Sequence, residues 1–185
     1  MEEHDVKDSK LLPHKKRILI AKEIKKIAKK YKIIQVKPEE IDKAVNKQDG
    51  LNLNWLEAHK TAEIINELNP DKAIIDCPSP NIRKYTEFLL NLLKNKDVEL
   101  VIEHKADFNH KIVGASSILA KCAREEEIEQ IQKKYGNTGP GYTSNPITQK
   151  FVKENFDKHP EIFRKSWSTF KKHENMKKQR KLDEF

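Results

Sequence analysis

Lys72-Ala73-Ile74-Ile75-Asp76-Cys77-Pro78-Ser79-Pro80 is the stretch that sets the fold class. Its apolar run with two adjacent isoleucines predicts a buried strand over Lys72–Asp76, stopped by the Pro-Ser-Pro turn. Tyr85, Phe88, Leu89, Leu92 and Leu93 follow at helical spacing, so a strong helix comes next. Val98–Glu103 reads as another strand, and Ala115–Tyr135 as a long helix closed by Gly136 just past its end. Strands alternating with helices predict an α/β domain.

Working outward, residues 13–31 predict an amphipathic helix with Pro13 in its first turn and Ile20, Ile24, Ile27, Ala28 and Tyr31 on one face. Lys32–Lys37 reads as a short strand, stopped by Pro38, which opens a short helix. A further helix is expected over about residues 53–68. Downstream of Gly136 lies a Gly/Pro loop to Pro146, then helices near 147–158 and 161–173, then a polar tail ending on Leu182 and Phe185. With no internal repeat and no low-complexity linker, the expected organisation is one domain over residues 1–176 and a flexible tail over 177–185.

Of the 185 residues, 36% are apolar and 36% charged, enough for one core if the apolar material is well ordered. No apolar run approaches the ~20 residues of a membrane span. The first residues, Met1-Glu2-Glu3-His4-Asp5, carry no apolar signal core. The short apolar runs predict no membrane association, and Cys77 and Cys122 form no C-x-x-C pair, which fits a reducing cytoplasm. The net charge of +8 is uneven: residues 15–32 hold nine Lys/Arg against Glu23 alone, and residues 171–181 hold six against Glu174. Such clusters draw in polyanions, nucleic acid first among them; a solvated lysine-rich helix face is the alternative.

Asp76 closes the first buried strand, and Asp107 follows Val98–Glu103 by a few residues. Residues just past strand ends in an α/β sheet converge on one crevice. Two carboxylates there can coordinate Mg²⁺ or Mn²⁺, which prefer oxygen ligands. An aspartate after a strand is also an ordinary turn-former or helix cap.

The company of these residues decides between the two. Glu103-His104-Lys105-Ala106-Asp107, then Val113-Gly114-Ala115-Ser116-Ser117-Ile118-Leu119-Ala120-Lys121 and Arg124-Glu125, resembles the H-K-A-D … V-S-A-A-S-I-x-A-K … R-D signature of ribonuclease HII. Gly139-Pro140-Gly141-Tyr142-Thr143-Ser144-Asn145-Pro146 resembles that family's G-S-G-Y-P-S-D-P loop. Val6-Lys7-Asp8-Ser9-Lys10-Leu11-Leu12 resembles its V-K-D-S-K-x-L, and Arg164-Lys165-Ser166-Trp167-Ser168-Thr169 its R-x-x-W-x-T. Four matches in order span nearly the whole chain, in a style closer to archaeal members.

The resemblance implies a ribonuclease H-like mixed sheet flanked by helices, with a C-terminal helical extension. It implies an endonuclease that cuts the RNA strand of RNA–DNA hybrids, and DNA at embedded ribonucleotides, with Mn²⁺ or Mg²⁺. Asp76 and Asp107 then match metal-binding acidic residues. Tyr142 matches the tyrosine that senses the 2′-hydroxyl at the RNA–DNA junction, and Lys10 and Lys121 match basic positions near the substrate backbone.

One departure is plain. The family's G-I-D-E-A-G-R-G-P strand, source of two further metal ligands, occurs nowhere in the sequence. The expectation is therefore a sheet lacking the family's N-terminal strands and little activity from this chain alone. A catalytically inactive hybrid- or clamp-binding fragment, or half of a split enzyme, is the competing expectation. Finally, Gln179-Arg180-Lys181-Leu182-Asp183-Glu184-Phe185 fits Q-x-x-L-x-x-F, the core of replication sliding-clamp peptides, whose single helical turn sets Leu182 beside Phe185.

Overall fold

The computed structural model describes residues 13–48 and 50–183, with side chains described as far as Gln179. In chain order these are α1 (His14–Ile27), α2 (Pro38–Val45), α3 (Leu53–Leu68), β1 (Lys72–Asp76), α4 (Ile82–Leu92), β2 (Glu99–Glu103), α5 (Ala106–Asn109) and α6 (Lys111–Tyr135). Then come α7 (Pro146–Asn155), a 3₁₀ turn over Pro160–Ile162, and α8 (Ser168–Asp183). The residues pack as two compact units. One joins the described part of Met1–Ile34 to Asn54–Arg124; the other joins Gln35–Leu53 to the described part of Glu125–Phe185.

The first unit is built on a β-α-β crossover. β1 and β2 pair in parallel, Ala73 opposite Leu100, Ile75 opposite Ile102 and Asp76 opposite Glu103. Parallel neighbours need a long connection, and α4 supplies it. Its start is capped by Asn81, whose side chain accepts from the Lys84 amide at 2.9 Å. Tyr85, Leu89 and Leu93, four residues apart, are buried to 3% exposure or less. They meet Ala58, Ala62 and Ile65 of α3 and one face of the sheet, Ala73, Ile75, Leu100 and Ile102. The Tyr85 hydroxyl lies 3.4 Å from Thr61 Oγ1, so its polar end is not stranded in the core. Ile74 and Val101 pair on the opposite face and are part-buried. A second cluster joins Ala21 of α1 to Ile118, Leu119 and Cys122 of α6. Both cysteines are buried, and no disulfide joins them.

The second unit gathers Phe151, Val152, Phe163 and Phe170. Its central tie is Asp42 on α2, only 9% exposed, whose carboxylate accepts from the backbone amides of Lys165 at 2.7 Å and Ser166 at 2.9 Å. A buried carboxylate is tolerated here because charge-assisted bonds replace its lost hydration.

Four sequence expectations need correction. Lys32–Lys37 forms no strand among the described residues; Ile33 instead packs beside α1 and α6, and an extended segment without a ladder partner is not a strand. The first helix ends at Ile27, leaving Ile27 and Tyr31 exposed rather than on a buried stripe. The long helix begins four residues before Ala115, at Lys111. Residues 161–173 are not one helix, because the Asp42 clasp holds Lys165 and Ser166 in a turn before α8 starts at Ser168. α8 then runs helically past Lys177, the start of the expected tail, to Asp183. The α/β class holds, its sheet represented among the described residues by the parallel pair.

Candidate active site

The carboxyl ends of β1 and β2 bring the site together. The ladder extends one step beyond the strands, where the Cys77 amide donates to the Glu103 carbonyl at 2.9 Å. His104 Nδ1 lies 3.2 Å from the Cys77 carbonyl, pinning the next residue of the neighbouring strand end. At Lys105 the chain turns through the left-handed region, φ 60°, an uncommon conformation for a side-chain-bearing residue. That turn aims α5 back across the strand ends. Asp76 Oδ1 accepts from the Ala106 amide at 3.2 Å, so its carboxylate sits against the residue that precedes Asp107. Asp76 is exposed and Asp107 part-buried in the first turn of α5.

Three neighbours were not singled out in the sequence. Glu103 Oε1 accepts from Asn109 Nδ2 at 2.7 Å and from His110 Nε2 at 3.1 Å. The signal available for Glu103 was its place at the end of a strand, the position Asp76 holds on the other.

The donor set suits a hard divalent cation in kind, since Asp76 and Asp107 offer carboxylate oxygens. It is incomplete in number: among the described residues, no group of three or more His, Cys, Asp or Glu side chains is placed to hold one ion.

In the second unit, Tyr142 lies on a tightly built loop. Asn145 Oδ1 accepts from the amides of Ile147 and Thr148, opening α7. The buried Thr148 hydroxyl donates to the Thr138 carbonyl at 2.9 Å and accepts from the Gly141 amide at 3.1 Å. Gly139 has φ +65°, and a Cβ there would meet Thr148 Oγ1 at 2.8 Å, so no larger residue fits. On this frame Tyr142 is 55% exposed rather than in the core. Lys121 is part-buried on α6, and Gln179 exposed on α8. Leu182 lies within α8, its side chain outside the described residues. Lys10 and Phe185 lie outside them altogether. No helix among the described residues is long and apolar enough to cross a membrane.

Against known proteins, the ribonuclease HII family model matches residues 1–170. The chain belongs to the ribonuclease HII family. Ribonuclease HII of Pyrococcus furiosus is 40% identical over 97% of this chain and 82% of its own length. That of Methanobrevibacter smithii is 37% identical over 95% of the chain and 84% of its own. Among solved structures, ribonuclease H2 of Pyrococcus horikoshii superposes with a TM-score of 0.81 at 33% identity, over 92% of this chain and 81% of that one. The ribonuclease HII of Archaeoglobus fulgidus, solved in complex with PCNA, gives 0.73 at 35% identity, over 83% and 71%. The family is one of ribonucleases, hydrolytic enzymes, and the α/β fold is theirs.

Proposed function

We propose that this chain serves an endoribonuclease that cuts the RNA strand of RNA–DNA hybrids, and DNA at embedded ribonucleotides, leaving 3′-hydroxyl and 5′-phosphate ends. The observation that carries the reading is the bond from the Ala106 amide to Asp76 Oδ1, which sets Asp76 against the turn bearing Asp107 in a ribonuclease HII chain. Asp76 and Asp107 would hold Mn²⁺ or Mg²⁺, which when bound supplies an activated water and stabilises the departing 3′ oxygen. The protein's own part is to keep Asp76 fixed against the turn that bears Asp107. Incubating a duplex that carries one ribonucleotide with the protein and Mn²⁺ or Mg²⁺, and mapping the ends, tests the reaction. Two buried cysteines with no disulfide between them fit work in the reducing cytoplasm, and the proposed substrates place the reaction in DNA replication and repair.

Tyr142 is the reader of the 2′-hydroxyl in this proposal, its ring exposed on a rigid loop. Lys10 and Lys121 serve the substrate backbone. Losing an aromatic contact of this kind is worth roughly tenfold in binding. Tyr142→Ala should therefore reduce the preference for a junction ribonucleotide over plain DNA by about that factor in competition binding, with the melting temperature unmoved. A preference equal to wild type would remove the role.

A clamp partner follows from Gln179, Leu182 and Phe185. The Archaeoglobus fulgidus relative, solved with PCNA, supports the reading, and α8 carries Gln179 and Leu182 within one helical stretch. Ordering a short terminal peptide costs binding energy, so affinity on the order of micromolar is expected. Calorimetry of a peptide of residues 176–185 against the cognate clamp should show that binding, and Phe185→Ala should abolish it. No heat with the unsubstituted peptide would reject the motif.

The ligand set, incomplete among the described residues, favours a second reading, a hybrid- or clamp-binding module without activity of its own, or half of a two-chain enzyme.

A further inference from the structure

Asp107 rides on α5, a helix of four residues. A helix that short does not hold itself, because nucleation costs more than one turn of hydrogen bonds returns. Its entry adds a second cost, the left-handed Lys105. The place of α5 must therefore be imposed by tertiary ties. Ala106 is fully buried, and its amide is taken by Asp76 Oδ1. At the far end, Asn109 and His110 both donate to Glu103 Oε1. Asp76 and Glu103 are register partners, so adjacent strand ends grip opposite ends of one helical turn. His110 does more: its carbonyl accepts from the amides of Val113 and Gly114 at 3.0 Å, so the same residue opens α6.

We propose that Glu103, with Asn109 and His110 as its donors, is the positioning residue that holds Asp107 in place beside Asp76. The inference rests on the reading of Asp76 and Asp107 as metal ligands. Glu103 is not a third ligand: two donors engage its Oε1, and no group of three carboxylate, imidazole or thiol side chains is assembled among the described residues. Nor does it act chiefly by stabilising the fold. The Glu103 and His110 side chains are 36% and 32% exposed, where water screens an ion pair, so the contribution is to geometry.

Nuclear magnetic resonance of the full chain titrated with Mn²⁺, alone and without substrate, tests this. In the unsubstituted chain, broadening of the Asp76 and Asp107 amides should share one midpoint. Glu103→Ala should raise the Asp107 midpoint about tenfold, as losing an outer-shell partner does. It should also speed amide exchange at Phe108, Asn109 and His110, while β1, β2 and the Tyr85 core stay unchanged. Glu103→Gln keeps an acceptor oxygen and should return both readouts to wild type. The double variant Asn109→Ala/His110→Ala should reproduce Glu103→Ala, and decides the matter if Glu103→Ala does not fold. Wild-type midpoints and exchange in the alanine variants would overturn the proposal. Absence of broadening at both aspartates in the unsubstituted chain would instead reject the metal reading. Exchange at Phe108 to His110 then decides the tether: faster in Glu103→Ala upholds it, unchanged rejects it.

Discussion

Asp76→Asn should abolish cleavage while leaving binding of the hybrid nearly intact. The measurement is made with this chain fused behind a D-E-A-G-R-G strand taken from a family member, so that a complete ligand set is present. Asparagine is nearly isosteric, and its carbonyl oxygen can still accept from the Ala106 amide that Asp76 Oδ1 now engages. The turn bearing Asp107 therefore keeps its place. What goes is the negative charge, and with it an anionic oxygen for a hard cation. Metal stabilisation of developing charge is worth several kcal/mol, so turnover should fall about 10³-fold or more, roughly 4 kcal/mol of barrier. The basic clusters over residues 15–32 and 171–181 are untouched, and affinity for the duplex should move by no more than about threefold. Asp76 is exposed, so stability should hardly change. Near-normal turnover in Asp76→Asn would end the case for Asp76 as a metal ligand. Asp76→Ala makes a useful contrast, since it also removes the acceptor and should loosen the Ala106 amide.

Asp76 and Asp107 stand out in the sequence because their signal is local. Asp76 ends an apolar run before Pro78, and Asp107 stands inside a recognisable H-K-A-D text. The helices with clean spacing were legible for the same reason: Tyr85, Leu89 and Leu93 are predicted as a core stripe and lie at 3% exposure or less. Lys32–Lys37 shows where local pattern runs out. Its residues suit a strand as well as those of β1, but a strand is a relation between two segments, and Ile33 found α1 and α6 instead of a ladder. The end of the chain shows the same limit at longer range. Nothing near residue 165 announces that Asp42, 123 positions earlier, takes the Lys165 amide and delays α8. At the site, Glu103 stayed hidden because its meaning comes from register with Asp76, which no single stretch of sequence contains.

The unfused 185-residue chain should show little or no cleavage by itself. Coordination arithmetic drives this expectation. A divalent ion of the Mg²⁺ kind takes about six oxygens at ~2.0–2.1 Å, and two-metal hydrolysis holds a pair of ions ~3.5–4 Å apart. Asp76 and Asp107 offer four oxygens between them, and one from Asp76 is already engaged by the Ala106 amide. No third carboxylate, imidazole or thiol joins them among the described residues, and Glu103 turns its oxygen toward Asn109 and His110. Water can fill vacant coordination positions but brings no compensating charge, so one ion at Asp76 and Asp107 would bind only weakly and a second would not be held at a fixed distance from it. The sheet points the same way. Among the described residues β1 and β2 each have one neighbour, so each strand has an open backbone edge. Unpaired strand edges favour pairing with another chain, which predicts self-association as the concentration rises. A duplex with one embedded ribonucleotide, Mn²⁺ or Mg²⁺, and either the chain or the D-E-A-G-R-G fusion decides the matter, with sedimentation reporting the oligomeric state. Activity confined to the fusion, or restored when the strand is added as a separate chain, would bear the argument out. Robust cleavage by the monomeric 185-residue chain would refute it and show that other residues of this sequence complete the site.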